Sequence, residues 1–556
     1  MSSSIDAPKK RKIQECPYLD TIRRELLDFD MEAACSVTLE SGPHVYACLV
    51  CGKFFRGRGP STPAYLHAVD EGHYCFVHLK QGSFFCLPDG YEIVDSSLDD
   101  ISASLHPTFT LPEISELDTN TKLARDWFGR RYLPGFVGLN PLDKTDGINA
   151  MVQALAHVPP LRDYFLRQRH DDIYIPGAKQ NPKKPAPKMS NLVLAFGELV
   201  RKLWSNRRLK HSVDPQRLVQ EITIASSGKF GKRAEMGEQL AWFLHQLHIG
   251  LGGTSKRSSI IHDIFQGQVQ VTTKAIRRKV VKPKTDGQND DRLGSGGEES
   301  DKEDQMMNEH EETIVEETIA DLKFLQLTLD IPEKPLFKDD EGGLVIPQEP
   351  LVNVLRKFDG VTFSDTLQSS SRRYKLKSLP PYLILHLQRF TTNSYTREKN
   401  PTIVIFPVKN FDLSPYVSSP DKKRNVPPTL EEIQQMDVTQ LKKVLMKYHQ
   451  EHLAENVTER NELIQTVSDF CSKSLPDLLA DKYDLVANIT HDSNDNKIGD
   501  PLQEGTYKCH VQHRAQWYEM QDLHVQETMP QLIGLSESYV LIFARKGAKL
   551  QLNTSQ

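Results

Sequence analysis

The sequence predicts an α+β protein, with a small metal-stapled domain ahead of a much larger domain of packed helices and strands. Three observations carry this expectation. Six of the eight cysteines fall before residue 87 and share their region with paired histidines, a pattern that suits a local metal site rather than a disulfide scaffold. Apolar residues then recur at helical spacing, as Leu192, Phe196, Leu199, Val200, Leu203 and Trp204, and again as Leu240, Phe243, Leu244, Leu247 and Leu251. Strand-like runs follow at Phe324–Leu329, Tyr382–Leu387 and Tyr539–Phe543. The 556 residues, 38% hydrophobic and 26% charged, leave room for roughly two to four domains of about 100 to 200 residues each. No apolar run approaches the roughly 20 residues of a transmembrane helix and no apolar signal core opens the chain, so an intracellular protein without membrane attachment is expected. A formal net charge of -5 argues against a globally basic nucleic-acid coat.

Taken in order, residues 1–14 form a basic tail. Its Pro8-Lys9-Lys10-Arg11-Lys12 run resembles a nuclear localisation signal, with a plain solvated tail as the competing reading. Residues 15–100 form the first domain. Cys48-Leu49-Val50-Cys51-Gly52 is a metal knuckle, and His67 and His73 complete a two-thiolate, two-imidazole set suited to one structural Zn2+ ion. Cys75, His78 and Cys86 are nearby rivals, Cys75 first among them should His73 point away. Cys16 and Cys35 read as core residues, since free cysteine packs as a small hydrophobe. Residues 101–129 are a connector with short helical pieces.

The large domain spans 130–546, and its apolar stripes read as core faces rather than cofactor boxes; no organic cofactor is expected. Two insertions interrupt it. Residues 278–313 pass from basic through Gly/Ser-rich to acidic with few apolar groups to order them, so disorder is expected. Residues 429–478 are helix-rich. Asp437–Leu445 and Thr458–Ile464 read as two capped amphipathic helices, which faintly resemble small nucleic-acid modules of the SAP type but are better read as a protein-docking insertion. Residues 547–556 are a tail.

The run from Gly138 to Leu155 carries the functional information. Gly138, Leu139, Asn149, Gln153 and Leu155 resemble the first box of the ubiquitin-specific proteases, in which a loop delivers a nucleophilic cysteine to the start of a helix. Glu504-Gly505-Thr506-Tyr507 resembles the box of the general-base histidine, and Trp517-Tyr518-Glu519-Met520-Gln521-Asp522 the run whose first acid orients it. Leu379-Pro380-Pro381-Tyr382 through Phe390 and the helix from Glu238 to Leu244 resemble further elements of that family. The resemblance implies a papain-like fold with thumb, palm and fingers, yet every reactive position is altered. Asp146 stands at the nucleophile, Thr506 at the base, Gln521 at its orienting acid, and Pro141 at the asparagine that supplies an oxyanion donor. An aspartate cannot replace a thiolate in amide hydrolysis, a threonine hydroxyl cannot shuttle a proton near neutrality, and loss of one oxyanion donor alone costs about 100- to 1,000-fold in rate. Of the thiols outside the first domain, Cys509 lies on a strand with His510 facing the other way and Cys471 lies in the helical insertion; neither makes a convincing substitute. A pseudoenzyme with no catalytic residues is therefore expected.

The first domain resembles the ubiquitin-protease-type zinc finger. Lys53 replaces the arginine that clasps the ubiquitin carboxylate in binding members; it keeps the charge but loses the bidentate fork, which weighs against ubiquitin binding and leaves a protein- or RNA-contacting surface as the competing reading. The stretches Cys16–Ile22, Tyr46–Lys53, Cys86–Ile93, Arg201–Trp204 and Glu519–Leu523 resemble the spliceosomal, snRNP-assembly-defective branch of the family. That branch implies a nuclear, non-catalytic splicing factor that binds proteins of the U4/U6.U5 tri-snRNP, with snRNA as a further partner, and supports its assembly or stability. Two other readings stay open: a ubiquitin reader outside splicing, and a deubiquitinase with an unrecognised nucleophile.

Overall fold

The computed structural model describes residues 15–168, 188–281, 310–333, 337–338, 344–366, 370–392, 396–417, 428–447, 453, 459–474, 481–493 and 500–547. The basic run at 8–12, the centre of the 278–313 insertion, Thr458 and the C-terminal residues from 548 onward lie outside them.

The N-terminal unit is one antiparallel sheet with different cores on its two faces. Strands β1 (Val45–Cys48), β2 (Phe54–Arg56), β3 (Cys75–His78), β4 (Phe84–Cys86) and β5 (Tyr91–Ile93) lie in the order β2-β1-β3-β4-β5. Alternation along β3 sends Phe76 to one face and Cys75 and Val77 to the other. Helix α1 (Pro63–Glu71) covers the first face through Ala64 and Ala68, one turn apart. It starts on a proline and stops at Gly72, whose φ of 69° is open to glycine at little cost. Helices α2 (Asp99–Leu105) and α3 (Leu111–Glu116) follow, the latter opened by a capping box between Thr110 and Glu113. A small ribbon of β6 (Ala124–Arg125) and β7 (Arg131–Tyr132) leads into the large domain.

A helical layer comes next: α4 (Asp146–Ala156), α5 (Pro159–Arg167), α6 (Asn191–Trp204), α7 (Gln216–Ala225), α8 (Met236–Gly250) and α9 (Ile260–Phe265). All eleven residues of α4 are buried, because the helix lies between the other helices and the main sheet. A finger-like sheet pairs β8 (Gly267–Val281) with β9 (His310–Phe324) and, on its other side, β12 (Ser370–Ser378) and β11 (Asp359–Thr366). Among the described residues the main sheet has eight strands. Seven run in the order β10 (Leu327–Asp330), β13 (Tyr382–Gln388), β19 (Ser538–Arg545), β15 (Lys482–Asp492), β16 (Thr506–His513), β17 (Gln516–Gln521) and β18 (His524–Thr528), and β14 (Phe411–Asp412) adds to β15. One face packs on the helical layer and the other holds a second apolar core around Leu383, Leu385, Tyr483 and Phe543. A helical layer, a central sheet and a finger-like sheet thus follow a small N-terminal domain, the α+β order that the sequence predicts.

Three local expectations need correction. The run Phe324–Leu329 is two strands, because β9 ends at Phe324 before β10 begins at Leu327 in another sheet. Residues 278–281 and 310–313, expected to be unordered, are strand: the antiparallel β8–β9 ladder continues to Val281 and His310, so that each strand supplies the other's backbone partners. Among the described residues the helical insertion holds three α-helices rather than two, α10 (Leu430–Gln435), α11 (Val438–Lys447) and α12 (Arg460–Asp469), around Ile433, Leu441, Leu445, Leu463 and Val467. Thr429 and Glu432 form the capping box that α10 needs, whereas α12 starts after Glu459 with no side-chain cap.

The small domain is fastened to the large one by a buried cation. Lys202 Nζ, near the end of α6, lies 2.9 Å from Asp30 and 3.1 Å from Glu198 and donates to the Phe29 carbonyl at 3.0 Å. Burial works against its charge, but Asp30 and then Glu198 outweigh it and raise its pKa; Glu198, despite its own burial, is pulled down to about 2 by Lys202 and Arg217. Leu209 of the large domain packs into the core of the small one. Lys202→Ala leaves the buried Asp30 without its cation and Glu198 with Arg217 alone, and the expected loss is roughly 3 to 5 kcal/mol by chemical denaturation. A loss under about 1 kcal/mol, the range of exposed pairs, would show that the pair does not fasten the domains.

Candidate functional site

The altered reactive positions converge at the N-terminal end of α4. Asp146 is its first residue, where a carboxylate faces the positive end of the helix dipole. Arg233, in the loop before α8, grips it with both ends of its fork: Nε donates to Oδ1 at 2.9 Å and Nη2 to Oδ2 at 3.2 Å. The backbone N–H of Tyr507, the residue after Thr506, donates to Oδ2 at 2.9 Å. Arg233 Nη1 also donates to the Gln503 carbonyl, just ahead of β16. Both side chains of the pair are nearly buried, 8% and 12% exposed. One carboxylate thereby ties the helical layer to the palm.

A second tie lies one turn along α4. Asn149 Nδ2 donates to Asp522 Oδ1 at 2.8 Å, and the Leu139 N–H donates to the Asp522 carbonyl at 2.9 Å. Burial pushes the Asp522 carboxyl up, with Asp146 adding to the effect and Asn149 opposing it. Gly138 is required here because a Cβ would come 2.5 Å from the Leu523 carbonyl oxygen. Thr506 opens β16, Gln521 ends β17, and Pro141 is exposed with no N–H to offer. The structure thus brings the segments bearing Asp146, Thr506 and Gln521 together at this end of α4.

Two residues of this region escaped sequence reasoning. Arg233 sits in a polar loop whose charge alone gave no sign that it points inward. His491, at the end of β15, is fully buried against the rings of Tyr507 and Phe390, and burial followed by Lys399 and Arg233 lowers its pKa to about 3. So weak a base cannot serve near neutrality. Cys509 is fully buried with its pKa pushed up by burial, and Cys471 is buried in the helical insertion with the same direction of shift. His510 pairs with Glu519 at 3.1 Å, away from Cys509, and His386 is held by Glu235 at 3.0 Å. Glu235 in turn caps α8 through the N–H groups of Gly237 and Glu238, which fixes the loop that carries Arg233.

The second candidate site is the knuckle. The ligand atoms of Cys48, Cys51, His67 and His73 all lie within 4.8 Å of one another. Cys51 Sγ is 3.4 Å from His67 Nε2, which is 3.0 Å from His73 Nδ1. Cys51 is pushed toward the thiolate by its hydrogen bond with Cys48, then by the Lys53 N–H and the two imidazoles. Gly52 adopts φ 75°, and a Cβ there would meet the Leu26 carbonyl oxygen at 2.3 Å. The donor set fits a metal ion that favours sulfur and nitrogen ligands in a tetrahedron. Cys75 faces away toward Cys16, 3.9 Å between sulfurs, and both are buried, as is Cys35. Lys53 is exposed.

Comparison with known proteins agrees with this architecture. Residues 137–543 match the family model described as ubiquitin carboxyl-terminal hydrolase, and residues 34–98 match the zinc finger found in ubiquitin hydrolases and other proteins. The chain is 41% identical over 544 residues to ubiquitin carboxyl-terminal hydrolase 39 of Mus musculus, covering 96% of this chain and 81% of that one. It is 34% identical over 538 residues to the probable mRNA-splicing protein ubp10 of Schizosaccharomyces pombe, covering 95% and 88%. The crystal structure of an essential yeast splicing factor superimposes with a TM-score of 0.61 at 21% identity, over 95% of this chain and 99% of that one, and so shares the fold.

Asp146→Ala leaves Arg233 buried without its anion, and unfolding in urea is expected to report a loss of roughly 3 to 5 kcal/mol, part of which the Asp146→Ala/Arg233→Ala double variant recovers. Strictly additive effects of the two substitutions would contradict the coupling.

Proposed function

The chain belongs to the ubiquitin carboxyl-terminal hydrolase family, and from that premise we propose that it is a pseudoenzyme: a nuclear, non-catalytic pre-mRNA splicing factor that binds the U4/U6.U5 tri-snRNP and supports its assembly or stability. The observation that carries the loss of catalysis is the Asp146–Arg233 pair at the nucleophile position. A carboxylate engaged by a guanidinium and a backbone amide has neither the nucleophilicity nor the neighbouring base that acyl transfer needs. What remains is a scaffold, and its use is binding.

The splicing role is supported by the name of the Schizosaccharomyces pombe relative, which matches almost the whole chain, and by the resemblance of the stretches around Cys16, Cys48, Cys86, Arg201 and Glu519 to the spliceosomal branch. The tri-snRNP proteins are the partners in this reading. One structural zinc ion is held by Cys48, Cys51, His67 and His73 and fixes the first domain, whose exposed Lys53 is a poor substitute for a carboxylate-clasping arginine.

Tagged protein recovered from nuclear extract at moderate salt is expected to carry U4, U5 and U6 RNA together. Recovery of ubiquitin conjugates without those RNAs would overturn the splicing assignment.

A further inference from the structure

The ribbon of β6 and β7 carries a charge that the chain as a whole does not share. Lys122, Arg125, Arg130 and Arg131 are all exposed, in a protein whose formal net charge is -5. The one acid between them, Asp126, is 6% exposed and spends Oδ1 on the Arg130 N–H at 2.8 Å. Among the described residues none of the four cations has an ion pair, and the one acceptor their side chains reach is the Gly129 carbonyl, 3.5 Å from Arg125 Nη1. Arg125 and Arg131 are register partners across the ribbon, and like charges set directly opposite each other destabilise a strand pair. A further exposed cation, Arg207, stands next to the point where the ribbon is fastened: Arg208 bridges Asp126, and its carbonyl accepts from the Trp127 N–H at 3.2 Å.

The turn of the ribbon displays two rings beside these charges. The Gly129 N–H donates to the Asp126 carbonyl at 3.0 Å, with Gly129 at φ 79°, so Trp127 and Phe128 hold the two central positions of a closed turn. They are 49% and 57% exposed, and neither belongs to an apolar core. Arg24, paired with Asp100, lies 5.2 Å from the centre of the Trp127 ring and steadies it. Phe128 has no cation or ring beside it among the described residues. Exposed rings flanked by unpaired cations suit a chain in which bases and phosphates alternate. An acidic peptide would use the charges and leave the rings idle, and a duplex, whose bases are already stacked, would do the same.

We propose that the β6–β7 ribbon is a binding site for single-stranded nucleic acid, with phosphates on Lys122, Arg125, Arg130 and Arg131 and bases stacked on Phe128 and Trp127. The bound phosphates would relieve the repulsion between Arg125 and Arg131. None of these residues belongs to the Asp146 position or to the metal knuckle, and the proposal stands whether or not the chain acts in splicing.

Fluorescence anisotropy of a labelled oligouridylate of about ten nucleotides, titrated with the full chain over a range of salt, tests it. Each phosphate contact to a single strand contributes about 0.7 to the slope of log affinity against log salt, so Arg130→Gln/Arg131→Gln is expected to weaken binding and flatten that slope by about 1.4. Phe128→Ala should weaken binding about tenfold and leave the slope unchanged. All three positions are exposed, so an unchanged Tm is expected of both variants. Oligothymidylate of the same length distinguishes the source of the strand: weaker binding than the oligouridylate assigns RNA, equal or tighter binding assigns single-stranded DNA, and either supports the site. No binding, or affinity undiminished in either variant, as binding through the basic run at 8–12 would give, would overturn the proposal. So would binding of a duplex or of a glutamate-rich peptide as tight as that of the single strand.

Discussion

A carboxylate buried at the start of α4 must have a cation, and meeting that demand organises the centre of the molecule. Arg233 supplies the charge, the Tyr507 amide supplies a further donor, and the Gln503 carbonyl takes the remaining arm of the guanidinium. Helix, α8 loop and palm strand are thereby joined where an active relative needs an open thiolate beside an imidazole. Buried pairs add little net stability over a well-packed apolar alternative, but they are costly to break from one side. The contact at the nucleophile position thus holds the two walls of the site together.

The same logic recurs at the domain junction. Lys202 is buried between Asp30 and Glu198 much as Arg233 is buried on Asp146, and in both places removal of one partner strands charge in a low-dielectric setting. The first domain is positioned by that cation and by Leu209 rather than left on a free linker. Its own fold rests on a metal-ready cluster and on a sheet with different cores on its two faces.

Motif spacing made the architecture legible because both halves of it are spacing problems. Cys48, Cys51, His67 and His73 converge as their pattern implied, and Asp146 and Thr506 lie on segments that touch although 360 residues apart in sequence. What spacing could not reveal was compensation. Arg233 lies in a polar loop like many others, and only the tertiary fold turns it onto Asp146. Asp522, beside the altered Gln521, keeps a structural task by accepting from Asn149, a framing residue whose partner the sequence could not name. The break after Phe324 was hidden because one apolar run serves two sheets. The strands at 278–281 and 310–313 were hidden because their order comes from ladder hydrogen bonds rather than apolar content.

The most direct measurement of the central claim is hydrolysis of a ubiquitin C-terminal fluorogenic amide by the purified chain and by its Asp146→Cys variant. The expected result is turnover at the buffer background for both, because restoring the thiol leaves Thr506 and Pro141 where a base and an oxyanion donor are needed and leaves Arg233 across the site. Turnover by the unaltered chain that disappears with Cys509→Ala would contradict it and point to a nucleophile outside the family's usual position.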